Sequence, residues 1–496
     1  MVRRSPMGFE IDLLQRAAFG ANMHLAALLQ RHGVASSLVG RVQEVLLPIE
    51  FIFLVFVVAA GAARIDREWC GRRADGMATW LLAGAHAAAG LYALRLLYWV
   101  YLHPSSEAQA VVGRWDFLVA AILGGLVLRR APSAVRHWAL VVLSVLLLRF
   151  YVGEAAFDVV AGACLIGFAA TRWRPTDRGW VRIAVHAALM AGVFAWLWSL
   201  RDTRAFDALR GWGLYSFVLF RHVSFVVEHA HGMPSTLGGY LCYLLFFPNC
   251  MGAMEVYDEF WNRNLAGLRP PEFLRAARTV VAGTMCLWLA LHIDVTEDRV
   301  AESVGFAAMW GNLVVLFFRA VLGSMGIWGT VEGAALFLGY ELRPNFRYVL
   351  TATTPSQFWR AWRATMTNWL IHYVYIPLGG NRRHQTFNVF GAFLVSTAWH
   401  VVGVLYLLPA TWTASDVGAV GLWGAVNFAG VASHAQWRRR WPPREYAGPW
   451  RMLVLAGKWA LAMLFGTSTV LLLGLSVGRG RYLGHVVRTL LGLEGW

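Results

Sequence analysis

The chain has 496 residues, 58% of them hydrophobic and only 15% charged, with 25 Trp and a formal net charge of +16; its mean hydropathy is +0.51. A soluble domain carries about 25% charged residues, so these values exclude a soluble globular protein and point to a bilayer, where Trp collects at the interfaces. The positive charge comes almost wholly from arginines scattered through short connectors, with Lys458 the single lysine, which argues against a nucleic-acid surface and for basic cytoplasmic loops.

Residues 1–44 mix five arginines with short apolar patches. They read as an interfacial segment or an extra span at 11–30, without the pattern of a cleavable signal peptide. Residues 45–496 then read as a single membrane domain. Apolar runs recur at 45–63, 78–100, 116–128, 137–152, 155–170, 182–200, 211–229, 237–254, 279–293, 303–323, 387–408, 417–435 and 453–477. They predict an all-α polytopic membrane protein with about 11–13 transmembrane helices. Connectors 64–73, 129–136 and 171–182 are rich in Arg and are expected in the cytoplasm, whereas 409–416 carries no basic residue and is expected outside. The five cysteines are scattered without CxxC spacing and read as packing residues.

The segment from Thr354 to Gly380, TPSQFWRAWRATMTNWLIHYVYIPLGG, differs from its apolar neighbours. Thr354 as N-cap, Pro355 at the first turn and Gln357 in capping-box position start a helix; Pro377, Gly379 and Gly380 stop it. The spacing predicts one amphipathic helix near 354–378, interfacial or re-entrant, belted by Trp359, Arg360, Trp362, Arg363, Trp369, Tyr373 and Tyr375. Thr365, Asn368 and His372 fall on one face of it, either a polar stripe turned to water or part of a site. The next apolar run, NVFGAFLVSTAWHVVGVLYLL, holds one ionisable group, His400. An imidazole at membrane depth is either packed against a carbonyl or is a functional group, and one titrating near ~6.5 suits a general base for a hydroxyl. No spacing in the chain suggests a cluster of metal ligands.

FWRAWRATMTNWLIHYVYIPLGGNRR followed by STAWH resembles the membrane-bound O-acyltransferase (MBOAT) superfamily, in its bacterial form. GYELRPNFRYVLTATTPSQFW, GLYSFVLFRHVSFVVE and YLLFFP resemble the approach to that motif, so the likeness covers a core of about 211–403. The resemblance implies a ring of tilted helices around a thinned centre in the cell membrane, with His400 on the family's active-site histidine. It also implies transfer of an acyl group, acetyl among them, from acyl-CoA or a carrier-protein thioester to a hydroxyl of a polysaccharide, cell-wall polymer, lipid or small glycosylated molecule. The thioester is then a co-substrate and no cofactor is required; membrane lipids and a periplasmic or extracellular protein are the expected partners, and nucleic acid is not. Three departures stand out: Arg363 follows Trp362 where the family places His or Asn, Ile371-His372 replaces Arg-Asp, and Gly252-Ala253-Met254 replaces Gly-Pro-Ile. The second catalytic role is therefore open among Arg363, Asn368 and His372, and Arg363 is either an anion partner or a structural arginine. Trp359, Arg360, Trp362, Trp369, Tyr373 and Trp399 are candidate substrate contacts, joined by Arg221 and His222 on a helix resembling one that lines the family's funnel. A transporter or flippase is the main alternative, but it predicts inverted repeats and Gly/Pro-broken helices in matching halves. A lipid-linked glycosyltransferase predicts acidic external loops. Neither pattern is present in the sequence.

Overall fold

A computed structural model describes residues 115–152, 154–172, 212–249, 253–267, 272–291, 305–346, 348–407, 413–441 and 449–476, with a few single residues between them. The expected segment 1–44 and the runs at 45–63 and 78–100 lie outside the described residues. The chain separates into two compact units, residues 1–120 with 272–281 and residues 121–271 with 282–496. The second unit holds every residue of the candidate site.

The architecture is all-α, with no strand among the described residues. In chain order the helices are α1 Trp115–Arg130, α2 Ser133–Val152, α3 Glu154–Arg172, α4 Trp212–Ala230, α5 Leu237–Leu244, α6 Tyr257–Phe260, α7 Phe273–Leu291, α8 Phe306–Phe337, α9 Pro355–Ala361, α10 Ala364–Leu370, α11 Gln385–Leu407, α12 Ala414–Arg440 and α13 Pro449–Ser476. Most follow the apolar runs. Among the described residues, stretches of α8, α11 and α13 are long and apolar enough to cross a bilayer. Large apolar side chains also stand on outer faces, among them Val127, Leu146, Ile166, Leu394, Leu453 and Leu461. In water these would invite aggregation; in lipid they face their own kind.

The last three long helices close on small residues, as lipid-embedded packing requires. A Cβ at Gly424 of α12 would meet Thr397 Oγ1 of α11 at 2.0 Å, and one at Gly430 would meet Phe465 of α13 at 2.3 Å. Thr413 and Asp416 form a reciprocal capping box that starts α12, and Arg438, Arg439 and Arg440 occupy its last turn, where cations suit the helix dipole.

Two expectations are corrected. The run 237–254 is not one helix: α5 ends at Leu244 and a 3₁₀ turn, Phe247–Asn249, follows. The side chain of Asn249 then holds the next stretch, accepting from Ala253 N at 2.9 Å, and the fully buried Arg221 of α4 donates to Tyr243 O (3.2 Å), Leu244 O (2.9 Å) and Asn249 O (3.0 Å). The arginine supplies donors for carbonyls that the interrupted helix leaves open. The amphipathic helix near 354–378 is likewise broken. It starts as expected, with Thr354 Oγ1 accepting from Gln357 N at 3.1 Å, while Gln357 Oε1 reaches back to Thr353 N at 2.9 Å. It stops at Trp362, restarts as α10, and passes through a π-helical stretch, Ile371–Tyr375.

Candidate active site

His400 lies on α11, half-buried between two indoles: its ring centroid is 4.7 Å from that of Trp399 and 4.5 Å from that of Trp423 on α12. Its Nδ1 is 2.7 Å from the carbonyl oxygen of Ser396, one turn earlier. A carbonyl only accepts, so this contact assigns the proton to Nδ1 and leaves Nε2 as a lone-pair acceptor. Among the described residues no hydrogen bond reaches Nε2. The imidazole is therefore oriented by the backbone and presents a basic nitrogen, the arrangement a general base needs.

Arg363 is the link between α9 and α10. Its backbone is left-handed, with φ 45° and ψ 54°, while Trp362 before it is extended. A non-glycine residue held there costs on the order of 1–3 kcal/mol and persists only where its surroundings impose it. Those surroundings are Asn345: its carbonyl accepts from Ala364 N at 2.8 Å, and its Oδ1 accepts from Thr365 N at 3.2 Å and from Thr365 Oγ1 at 2.8 Å. Asn345 thus caps α10 from outside the helix. The half-buried Arg363 guanidinium makes no hydrogen bond or ion pair among the described residues, and its charge acts on the His400 ring.

On the face of Thr365, Asn368 and His372, the first two turn inward rather than to water, while His372 stays half-exposed. Thr365 is buried, and its Oγ1 also accepts from Met254 N at 3.3 Å. Asn368 Nδ2 donates to Glu259 Oε1 at 3.0 Å. Glu259 also takes Arg343 Nη1 at 2.8 Å and Arg263 Nη2 at 3.3 Å. The neighbouring Glu255 pairs with Arg263 at 2.5 Å and accepts from Arg343 N at 2.6 Å. Burial pushes the Glu259 carboxyl up, but the Asn368 and Arg343 hydrogen bonds and the two arginine charges carry it below its ordinary value. For Glu255 burial prevails over the same arginines and its carboxyl lies above the ordinary value. Asn368 is accordingly a strut between α10 and this network.

The other sequence candidates divide by what they touch. Trp359 Nε1 donates to the fully buried Asn427 at 3.0 Å, and its ring meets Trp423 edge-on at 5.8 Å, which links it through Trp423 to His400. Trp369 Nε1 donates to Phe220 O at 3.1 Å, and the Phe220 ring contacts both Trp369 (4.8 Å) and Trp399 (5.9 Å). Tyr373 OH donates to Glu228 Oε1 at 2.8 Å and lies 2.8 Å from Ser224 Oγ. Trp362 stacks on Phe358 at 5.9 Å and meets Phe346 at 5.0 Å, away from His400 in the contact chain. Arg360 is exposed. Arg221 and His222 are both buried and engaged in packing: Arg221 holds the three carbonyls above, and His222 Nδ1 is 2.8 Å from Tyr240 OH with the residue 1% exposed.

Two features escaped the sequence. Trp423 is buried beside His400, and its indole N–H has no acceptor among the described residues. Nothing marks it locally, since α12 is only one of several Trp-bearing helices. Glu228, Asp258 and His372, far apart in the chain, bring their ligand atoms within 4.8 Å of one another.

Residues 190–412 match the family model described as MBOAT, membrane-bound O-acyltransferase family. The chain is 24% identical over 259 residues to a protein of Pseudomonas putida named "Probable alginate O-acetylase AlgI", covering 48% of this chain and 50% of that protein. A protein of the same name from Azotobacter vinelandii is 31% identical over 40% of this chain and 42% of its own length. The "Peptidoglycan O-acetyltransferase" of Helicobacter pylori is 31% identical over 22% of this chain and 21% of its own. The matched stretches span about half the length of these relatives or less.

Proposed function

We propose that the chain is a member of the membrane-bound O-acyltransferase family, whose model matches residues 190–412, and that it transfers an acyl group from a thioester, with acyl-CoA the first donor to test, to a hydroxyl, using His400 as general base. The observation that carries this reading is the Nδ1 contact with Ser396 O, which leaves Nε2 basic and oriented. Nε2 takes the hydroxyl proton as that oxygen attacks the thioester carbonyl; a C–O bond forms, the tetrahedral oxyanion collapses with cleavage of the C–S bond, and the imidazolium returns the proton to the leaving thiolate. Arg363, a cation in Coulombic reach of His400, and the Trp423 N–H are the donors available to the developing oxyanion. Trp359 and Trp399 flank this centre, and Asn368 holds α10 in register. The relatives' names, an alginate O-acetylase and a peptidoglycan O-acetyltransferase, support a membrane-embedded enzyme that acetylates a polysaccharide or cell-wall polymer.

The test is a donor and acceptor panel. Membranes containing the protein are given labelled acetyl-CoA and longer acyl-CoAs with alginate, peptidoglycan fragments or other glycans, and both free CoA and acylated product are followed. Acceptor-dependent CoA release with an ester on the glycan is expected. Absence of turnover with every donor, carrier-protein thioesters included, would contradict the reading.

A further inference from the structure

We propose that Glu228, Asp258 and His372 form a binding site for a divalent cation of the Mn²⁺ or Zn²⁺ class, independent of the acyl-transfer chemistry at His400. Glu228 sits near the end of α4, Asp258 on α6 and His372 on the π-helical stretch after α10, so three separate elements each contribute one donor. Their ligand atoms all lie within 4.8 Å of one another. An ion at the centre of such a triangle is at most about 2.8 Å from each donor, and small rotamer changes bring that to the ~2.0–2.2 Å of nitrogen and carboxylate ligands on Zn²⁺. No hydrogen bond or ion pair joins the three to each other. They converge without touching, which is the spacing an ion between them requires.

The charge around them is unbalanced in the same direction. Among the described residues no Arg or Lys pairs with Glu228 or Asp258, whereas the next residue, Glu259, has Arg343 and Arg263. Glu228 is only 7% exposed. One of its oxygens accepts from Tyr373 OH; the other has no hydrogen-bond partner among the described residues. Asp258 Oδ1 accepts from Glu259 N at 2.6 Å, which fixes its side chain. The Tyr373 hydroxyl on Glu228 is the kind of outer partner that orients a metal-binding carboxylate. One imidazole and two carboxylates make a mixed nitrogen and oxygen set, suited to Mn²⁺ or Zn²⁺ rather than to the all-oxygen cages of Ca²⁺. Half-exposed Asp258 and His372 leave the remaining coordination positions to water. The ion ties the π-helical stretch, and with it Tyr373 and Trp369, to α4 and α6.

The experiment uses the purified full-length protein in detergent, stripped with EDTA and titrated with MnCl₂, ZnCl₂, CaCl₂ and MgCl₂. Bound metal is measured by elemental analysis and Tm by intrinsic fluorescence. The expected result is about one equivalent of Mn²⁺ or Zn²⁺ per chain with a raised Tm, both lost in Asp258→Asn and in His372→Gln. Binding that is absent from the wild type, or unchanged in both variants, overturns the proposal. Should either variant fail to fold, pulsed EPR of Mn²⁺ on the wild type decides the matter: an imidazole nitrogen coupling is expected, and a signature of oxygen ligands alone overturns it.

Discussion

Two clusters of polar groups meet on α10 and are handled in opposite ways. Around Glu255 and Glu259 every charge is answered: Arg263, Arg343, Asn368 and a backbone N–H supply the carboxylate oxygens with donors. At the other end of the same helix, His400 has one nitrogen tied to Ser396 O and the other open, Arg363 has no counter-ion among the described residues, and the Trp423 N–H has no acceptor. A satisfied network inside a membrane protein holds elements together. An unsatisfied set that a satisfied network holds in place is ready for a substrate that completes it.

Substitutions that break one side and leave the other intact sharpen this contrast. Arg363→Ala is expected to lower kcat by about 100-fold to 1,000-fold, the scale of a lost oxyanion donor; steady-state kinetics in detergent checks it, and a change confined to KM would assign the arginine to donor binding instead. Glu255→Ala acts on the satisfied side. It leaves Arg263 without its most buried partner and is expected to cost about 3 kcal/mol of stability, measured as a drop in Tm, with acyl transfer per folded molecule retained. Trp423→Phe keeps the ring and removes the N–H, and a loss of about tenfold in kcat with unchanged Tm is expected, the worth of one hydrogen bond in the transition state.

The smallest effect is one of pH. Because the Glu259 carboxyl lies below its ordinary value when folded, its contribution to stability is fully present above the unfolded-state value of about 4.3 and is lost as pH falls through the folded one. Glu259→Gln is therefore expected to flatten the acid side of the Tm against pH profile. An unchanged acid limb would mean that the network contributes nothing to stability.

What the sequence made legible follows from which interactions are local. His400 could be found because it is the one ionisable side chain in its apolar run, and the start at Thr354 because its capping partners lie within three residues. The break at Arg363 could not, since the cap that enforces it is Asn345, eighteen residues upstream in the chain and outside the helix it caps. Arg221 looked like a cation facing a funnel because periodicity reports a residue's face but not the open carbonyls of α5 and the 3₁₀ turn that it meets. The stripe at Thr365 and Asn368 was visible, yet its inward direction depends on Met254 and Glu259, about a hundred residues away. Glu228, Asp258 and His372 come together only through the packing of three elements, so no spacing announced them.

The central claim is that Nε2 of His400 is the base, and His400→Ala tests it most directly. Acyl transfer by the purified variant should fall by about 100-fold to 10,000-fold, the contribution of a positioned general base, while its helical circular dichroism and Tm stay close to wild type because the ring's one hydrogen bond is to a carbonyl of its own helix and its other neighbours are the Trp399 and Trp423 rings, which remain. Wild-type turnover in a well-folded His400→Ala protein would contradict the account.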